Sequence, residues 1–145
     1  MFNLADYLEM ILPEISEVKT IYKVSDISKL EEMLGDIRNT PDCFVIVRET
    51  GDGYLNLKDR LLDSGYHNFF VFIMPKNKTS EARHEAKQEA MSRGVKILKR
   101  MKADSSDFGD PAYGTDFSKI DYMGWGPIGQ GYHGYSFFLL TEQAI

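Results

Sequence analysis

Cysteine is nearly absent: Cys43 stands alone in 145 residues, which excludes an internal disulfide. It borders the apolar run Phe44-Val45-Ile46-Val47, where a thiol packs as a small hydrophobe and not as a nucleophile. No apolar run approaches the ~20 residues that a membrane-spanning helix needs. An export signal is missing as well, since residues 2–12 contain Asp6 and Glu9 and follow no basic region. The expectation is a protein made in the cytoplasm and working there first. Basic charge is short: 17 Lys and Arg against 22 Asp and Glu leave a net charge of −5. A specific nucleic-acid module is usually basic overall, so that class is disfavoured. With no internal repeat, low-complexity tract or linker, 1–145 reads as a single domain long enough to bury its own core.

Motifs that carry chemistry are also lacking. His67, His84 and His133 lie in separate elements with no i, i+4 or His-x-His pairing, so no metal site is expected. Glu81, His84 and Glu85 can share a helix face, where a surface ion-pair cluster is the ordinary outcome. The 129–134 stretch GQGYHG matches G-x-G-x-x-G, but the strand-like Tyr135-Ser136-Phe137-Phe138-Leu139 follows it. A dinucleotide site needs a helix there, so the match is coincidental. The acidic stretch from Asp104 resembles a calcium loop only at Gly109: Phe108 fills the fifth position, and Thr115 stands where a bidentate Glu is required. Ser64 or Ser136 with His133 lacks a nucleophile elbow. The sequence therefore predicts no catalytic residue, no metal ligand and no cofactor.

What the chain does contain is patterned segments. At 79–102, Ala82, Ala86, Ala90, Gly94, Ile97/Leu98 and Met101 recur at helical spacing. Thr79 or Ser80 caps its start, Glu81 and Glu85 follow, and basic residues crowd its end, as the helix dipole favours. This segment holds seven basic and three acidic residues, so it carries +4 and the remainder −9. A first short helix is capped by Asn3, stapled by Phe2 and Tyr7, and stopped by Pro13. Residues 18–24 read as a strand with Val18, Thr20, Tyr22 and Val24 on one face, while Lys19 and Lys23 on the other suggest an edge strand or a solvated surface. A second short helix spans 25–38, with Ser28 and Glu31 at capping-box spacing. Residues 43–47 read as a strand covered on both faces. A turn at 51–53 leads to a short returning strand at 54–57, and 59–65 is a loop or a helical turn.

The strongest strand is 66–74, with His67, Phe69, Val71 and Ile73 on one face and Phe70, Phe72 and Met74 on the other. Residues 103–116 are acidic and turn-rich and read as a mobile loop. Strands at 117–125 and 135–141 close the chain, joined by GPIGQGYHG. The predicted class is α+β: a mostly antiparallel sheet packed by the long helix and two shorter ones. Met123, Trp125, Ile128 and Tyr132 are large apolar groups set among glycines, which reads equally as a long hairpin with a packed core face or as a subunit-contact ribbon.

The N-terminal helix, the DCFVIVRE strand, the aromatic YHNFFVFIM strand, the long helix with a basic end and the closing GYSFFLL strand come in a distinctive order. In that order the chain resembles the tail-terminator and tail-completion proteins of long-tailed phages and prophages. The resemblance implies a non-enzymatic subunit that assembles with itself into a ring, commonly a hexamer, at the end of the tail tube. It further implies contacts with other tail or neck proteins, no membrane, and a final place in the virion tail. The alternative is a small cytosolic enzyme or ligand-binding module whose pocket is the aromatic, Gly-rich C-terminal segment, with Asp116, Asp121 or His133 as acid or base. A monomeric regulatory binding module is the third reading.

Overall fold

The computed structural model describes residues 2–15, 18, 20–36, 43–58 and 61–144; the side chains of Ile27, Asp36, Asp116, Ser118, Lys119 and Ala144 lie outside that description. Three α-helices are described, α1 (Leu4–Ile11), α2 (Leu30–Asp36) and α3 (Ser80–Ser105). They pack on one sheet formed by β1 (Ile21–Val24), β2 (Cys43–Arg48), β3 (Asp52–Asn56), β4 (Leu62–Ile73), β5 (Thr115–Ile128) and β6 (Tyr132–Ala144). The sheet order is β1-β2-β4-β6-β5, with β3 also paired to β4. Only β1 and β2 run parallel, and the other four pairings are antiparallel. The α+β class with a mostly antiparallel sheet is what the segment order predicts.

Two cores form because β2 and β4 are apolar on both faces. One face carries Phe69, Val71, Ile73, Phe137 and Leu139 beneath α1 and α3. Ala86 and Ala90 are small enough to bring α3 close, and Gly94 lies directly over Phe137, where a Cβ would come within 3.0 Å of the ring. The other face carries Phe44, Ile46, Phe70 and Phe72 under Leu30 and Leu34 of α2, with Ile128 and Tyr132 completing the layer.

The local reasoning at the helix starts holds. The Asp6 amide donates to Asn3 Oδ1 at 3.0 Å, and the Phe2 and Tyr7 rings lie 5.6 Å apart. The Ala82 amide donates to Thr79 Oγ1 at 3.1 Å, and α3 runs one turn beyond the expected end, to Ser105. The Tyr7 hydroxyl donates to Asp104, which also accepts from Arg100 Nε at 3.0 Å. Arg100 reaches Glu14 too, so the end of α3 is tied to the N-terminal segment.

Several expectations change. The second helix opens as a 3-10 turn, Ile27–Lys29, because Asp26 and not Ser28 caps it: the Ser28 amide donates to Asp26 Oδ1 at 3.0 Å. Val18 enters the α1 core, opposite Tyr22 and Val24, since the strand begins only at Ile21. Among the described residues β1 is an edge strand and Lys23 is exposed on it, as expected, where it also pairs with Glu9 at 2.9 Å; Lys19 lies outside the described residues. Residues 51–53 do not reverse the chain. β2 and β3 both run antiparallel to β4, so β3 continues in the direction of β2 after an irregularity at 48–51. The chain reverses between β3 and β4, which pair antiparallel with Asn56 opposite Leu62, so Leu62 is already in β4. Residues 59 and 60 are outside the described set. The closing strands are longer than expected, and only Gly129, Gln130 and Gly131 remain as their turn.

Candidate subunit-contact surface

The four ribbon residues divide between core and surface. Gly129 and Gly131 adopt left-handed φ values of 59° and 109°, which permit the tight β5–β6 turn. Gln130 Nε2 donates to the Gly35 carbonyl at 2.9 Å and fixes the turn against α2. That anchoring drives Ile128 (7% exposed) and Tyr132 (1%) into the α2 core, where Tyr132 meets Phe44 edge-on at 4.9 Å. In the folded subunit neither presents surface to a neighbour. Trp125 is half-buried: its ring packs on Phe70 at 5.6 Å and Nε1 donates to Ser136 Oγ at 3.0 Å. Met123 is 52% exposed.

Strand register identifies what accompanies Met123. Side chains paired across antiparallel strands share a face. Phe70, Ser136 and Met123 therefore stand together, as do Asn68, Phe138 and Asp121, then Tyr66 with Leu140, and Tyr54 with Ser64. This is the α2 side of the sheet, but α2 reaches only the end bearing Phe70 and Phe72. Beyond it Tyr54, Tyr66, Met123 and Phe138 stay exposed. Asp52, Asp121 and Glu142 border them, and Arg48 holds the Asp52 carboxyl below its ordinary range by a 2.8 Å hydrogen bond.

The edge of the sheet lies beside this face. Among the described residues β5 pairs only with β6, and its ladder is irregular between Asp116 and Asp121 and again between Trp125 and Ile128. These irregularities, the second containing the cis Gly126–Pro127 bond, interrupt both ends of the edge. Between them 121–125 is a regular strand with one side open, carrying Tyr122 (63% exposed) and Met123. At the far end of β5 the 106–114 segment is wound into successive turns. Ala112 is buried and Gln143 Nε2 donates to the Pro111 carbonyl at 3.0 Å, so the expected mobile loop is anchored. Its tip lifts Phe108 (91% exposed) into solvent against Tyr113.

Asp121 and His133, two of the three residues suggested as acid or base, do not converge. Asp121 sits on the open α2 side of the sheet, whereas His133 pairs with Ile73 and belongs to the α3 side. The Asp116 side chain lies outside the described set. Sequence reading missed Tyr54, Tyr66 and Phe138, because each looks like an ordinary strand residue until the extent of α2 is known. Among the described residues no helix is long and apolar enough to cross a membrane. Comparison of the sequence with protein-family models and with curated proteins finds no match. The class defined by the coordinates is thus an α+β domain with an open sheet edge and a partly uncovered sheet face.

Proposed function

We propose that this chain is a non-enzymatic tail subunit of a long-tailed phage or prophage. In this reading it is a tail-terminator-like protein that forms a ring, commonly a hexamer in the proteins it resembles, on the tail tube and supports head joining. The observation that carries the reading is the open 121–125 edge with its contiguous exposed Met123, Phe138, Tyr66 and Tyr54. The order of elements supports it. A ring requires two different complementary surfaces on each subunit. The sheet face is bordered by Asp52, Asp121 and Glu142, while the end of α3 exposes Lys99 and Lys102, a charge match between neighbouring copies. Assembly takes place in the cytoplasm, other tail or neck proteins are the further partners, and neither specific nucleic-acid recognition nor membrane attachment is part of the role.

The test uses exposed positions. Trp125→Ala confounds folding with assembly, because the indole packs on Phe70 and bonds Ser136. Tyr122→Glu and Met123→Lys leave the core intact and should fold normally by circular dichroism. Mixed with purified tail-tube ends and imaged by electron microscopy, wild type should cap the tube and both variants should fail. Normal capping by both folded variants, or no capping by wild type, overturns the proposal. The alternative of a ligand-binding module or small enzyme is favoured by one observation, a cleft of about 420 Å³ beside the Gly-rich turn, lined in part by Pro127, Gln130, Gly131 and His133.

A further inference from the structure

That cleft lies between the segment entering α3 and the β5–β6 turn. Its walls include Lys78, Arg83, Gln130 and His133 with the apolar Met74 and Pro127, and no lining residue is a carboxylate. This is unusual local chemistry in a chain of net charge −5. Among the described residues neither Lys78 nor Arg83 makes an ion pair, and the Arg83 guanidinium donates to Ser80 Oγ at 3.1 Å. The cleft also opens beside the N-terminus of the 26-residue α3, the positive end of its dipole.

His133 is the independent indication. The residue is 4% exposed, and its Nδ1 is buried without a hydrogen-bond partner. Gly126 seats the ring: at φ 133° it has no side chain, and any Cβ there would come within 3.0 Å of Nδ1. His133 lines the cleft, and a neutral ring protonated on Nε2 would offer that nitrogen as a donor. Burial holds the imidazole below its ordinary range, and the nearby Lys87 and Arg83 charges act in the same direction. A neutral donor backed by unpaired cations suits an anion and repels a metal ion.

The geometry points to a binding site for a small dianionic oxyanion, phosphate or the phosphate head of a monoester. Lys78 and Arg83 supply charge, His133 and Gln130 supply donors, and Met74 and Pro127 face the organic body of an ester. This deepens the ligand-binding reading and is independent of ring assembly, so its failure leaves the tail-capping experiment undecided by it and the reverse.

Calorimetry and histidine-resolved NMR at 150 mM salt test the site with inorganic phosphate and with phenyl phosphate. Saturable binding should perturb the His133 ring and raise its titration midpoint. Tighter binding of phenyl phosphate assigns the monoester; equal binding assigns free phosphate. The Lys78→Gln/Arg83→Gln pair replaces exposed side chains, should keep the fold, and should weaken binding at least about tenfold. Lys29→Gln/Lys58→Gln, exposed lysines outside the cleft lining, should leave binding unchanged. No binding of either probe, or equal loss in the two double variants, overturns the proposal.

Discussion

Gly94 and Gly35 make a paired test of how closely α3 lies on the sheet. Both are helical, Gly94 in α3 and Gly35 in α2. Gly to Ala in a helix interior is worth up to about 1 kcal/mol through backbone entropy and solvation. A Cβ at Gly35 meets nothing within 4 Å, so Gly35→Ala should stabilise by roughly 0.5–1 kcal/mol. At Gly94 the same atom would fall within 3.0 Å of Phe137 Cε2 and Cζ. That ring is buried and stacked on Phe69 at 5.2 Å, so it has no free space to turn into. Overpacking of this kind costs about 1–3 kcal/mol, and against a buried, stacked ring the upper part of that range, about 2–3, applies; after the propensity gain of up to about 1 the net loss is about 1–2 kcal/mol. At this chain length that is a fall in Tm of roughly 3–6 °C, against a small rise for Gly35→Ala. Urea and thermal unfolding followed by circular dichroism measure both. A Gly94→Ala protein as stable as wild type would refute the close approach. Equal destabilisation by both substitutions would implicate the helix backbone instead of the Phe137 collision.

Tyr7→Phe removes the hydroxyl that donates to Asp104; Arg100 remains on that carboxylate, so the expected loss is about 1–2 kcal/mol. A urea midpoint unchanged within error would show that the bond adds nothing. His67 is held below its ordinary range chiefly by burial, with the Asp63 charge opposing, and its Nε2 lies 3.1 Å from Thr141 Oγ1. The unfolded chain therefore binds the proton more readily, and stability should be full above the unfolded value of about 6.5 and fall as pH drops below it. His67→Gln should flatten that part of the stability–pH curve. A slope identical to wild type between pH 5 and 6.5 would remove His67 as its source.

Where a local interaction decides the outcome, the order of residues was enough to read it. Asn3 and Thr79 as caps, the Phe2–Tyr7 staple, the Ala82–Ala86–Ala90–Gly94 stripe and the two-sided apolar character of 43–47 and 69–73 all follow from neighbours within a few positions. Direction and extent were harder. An irregularity at 48–51 and a reversal at 51–53 look alike in sequence, because Gly and Asp suit either; only pairing with β4 distinguishes them. At the second helix the Ser28 and Glu31 spacing suggested the cap, whereas in the structure Asp26 Oδ1 accepts from the Ser28 amide.

The contact surface depends almost wholly on tertiary structure. Met123, Trp125, Ile128 and Tyr132 have similar apolar character in the sequence, and nothing local tells them apart. The Gln130–Gly35 bond and the seating of the turn on α2 bury Ile128 and Tyr132, while the shortness of α2 leaves Met123, Phe138, Tyr66 and Tyr54 uncovered. His133 follows the same logic: its Gly-rich setting was visible, but its place beside Lys78 and Arg83 arises only when β6 aligns with the start of α3. Periodicity and capping are properties of adjacent residues and so are written in the chain itself. Exposure is a property of whatever packs opposite, which here is contributed by segments up to about a hundred residues away, such as Gly35 and Gln130.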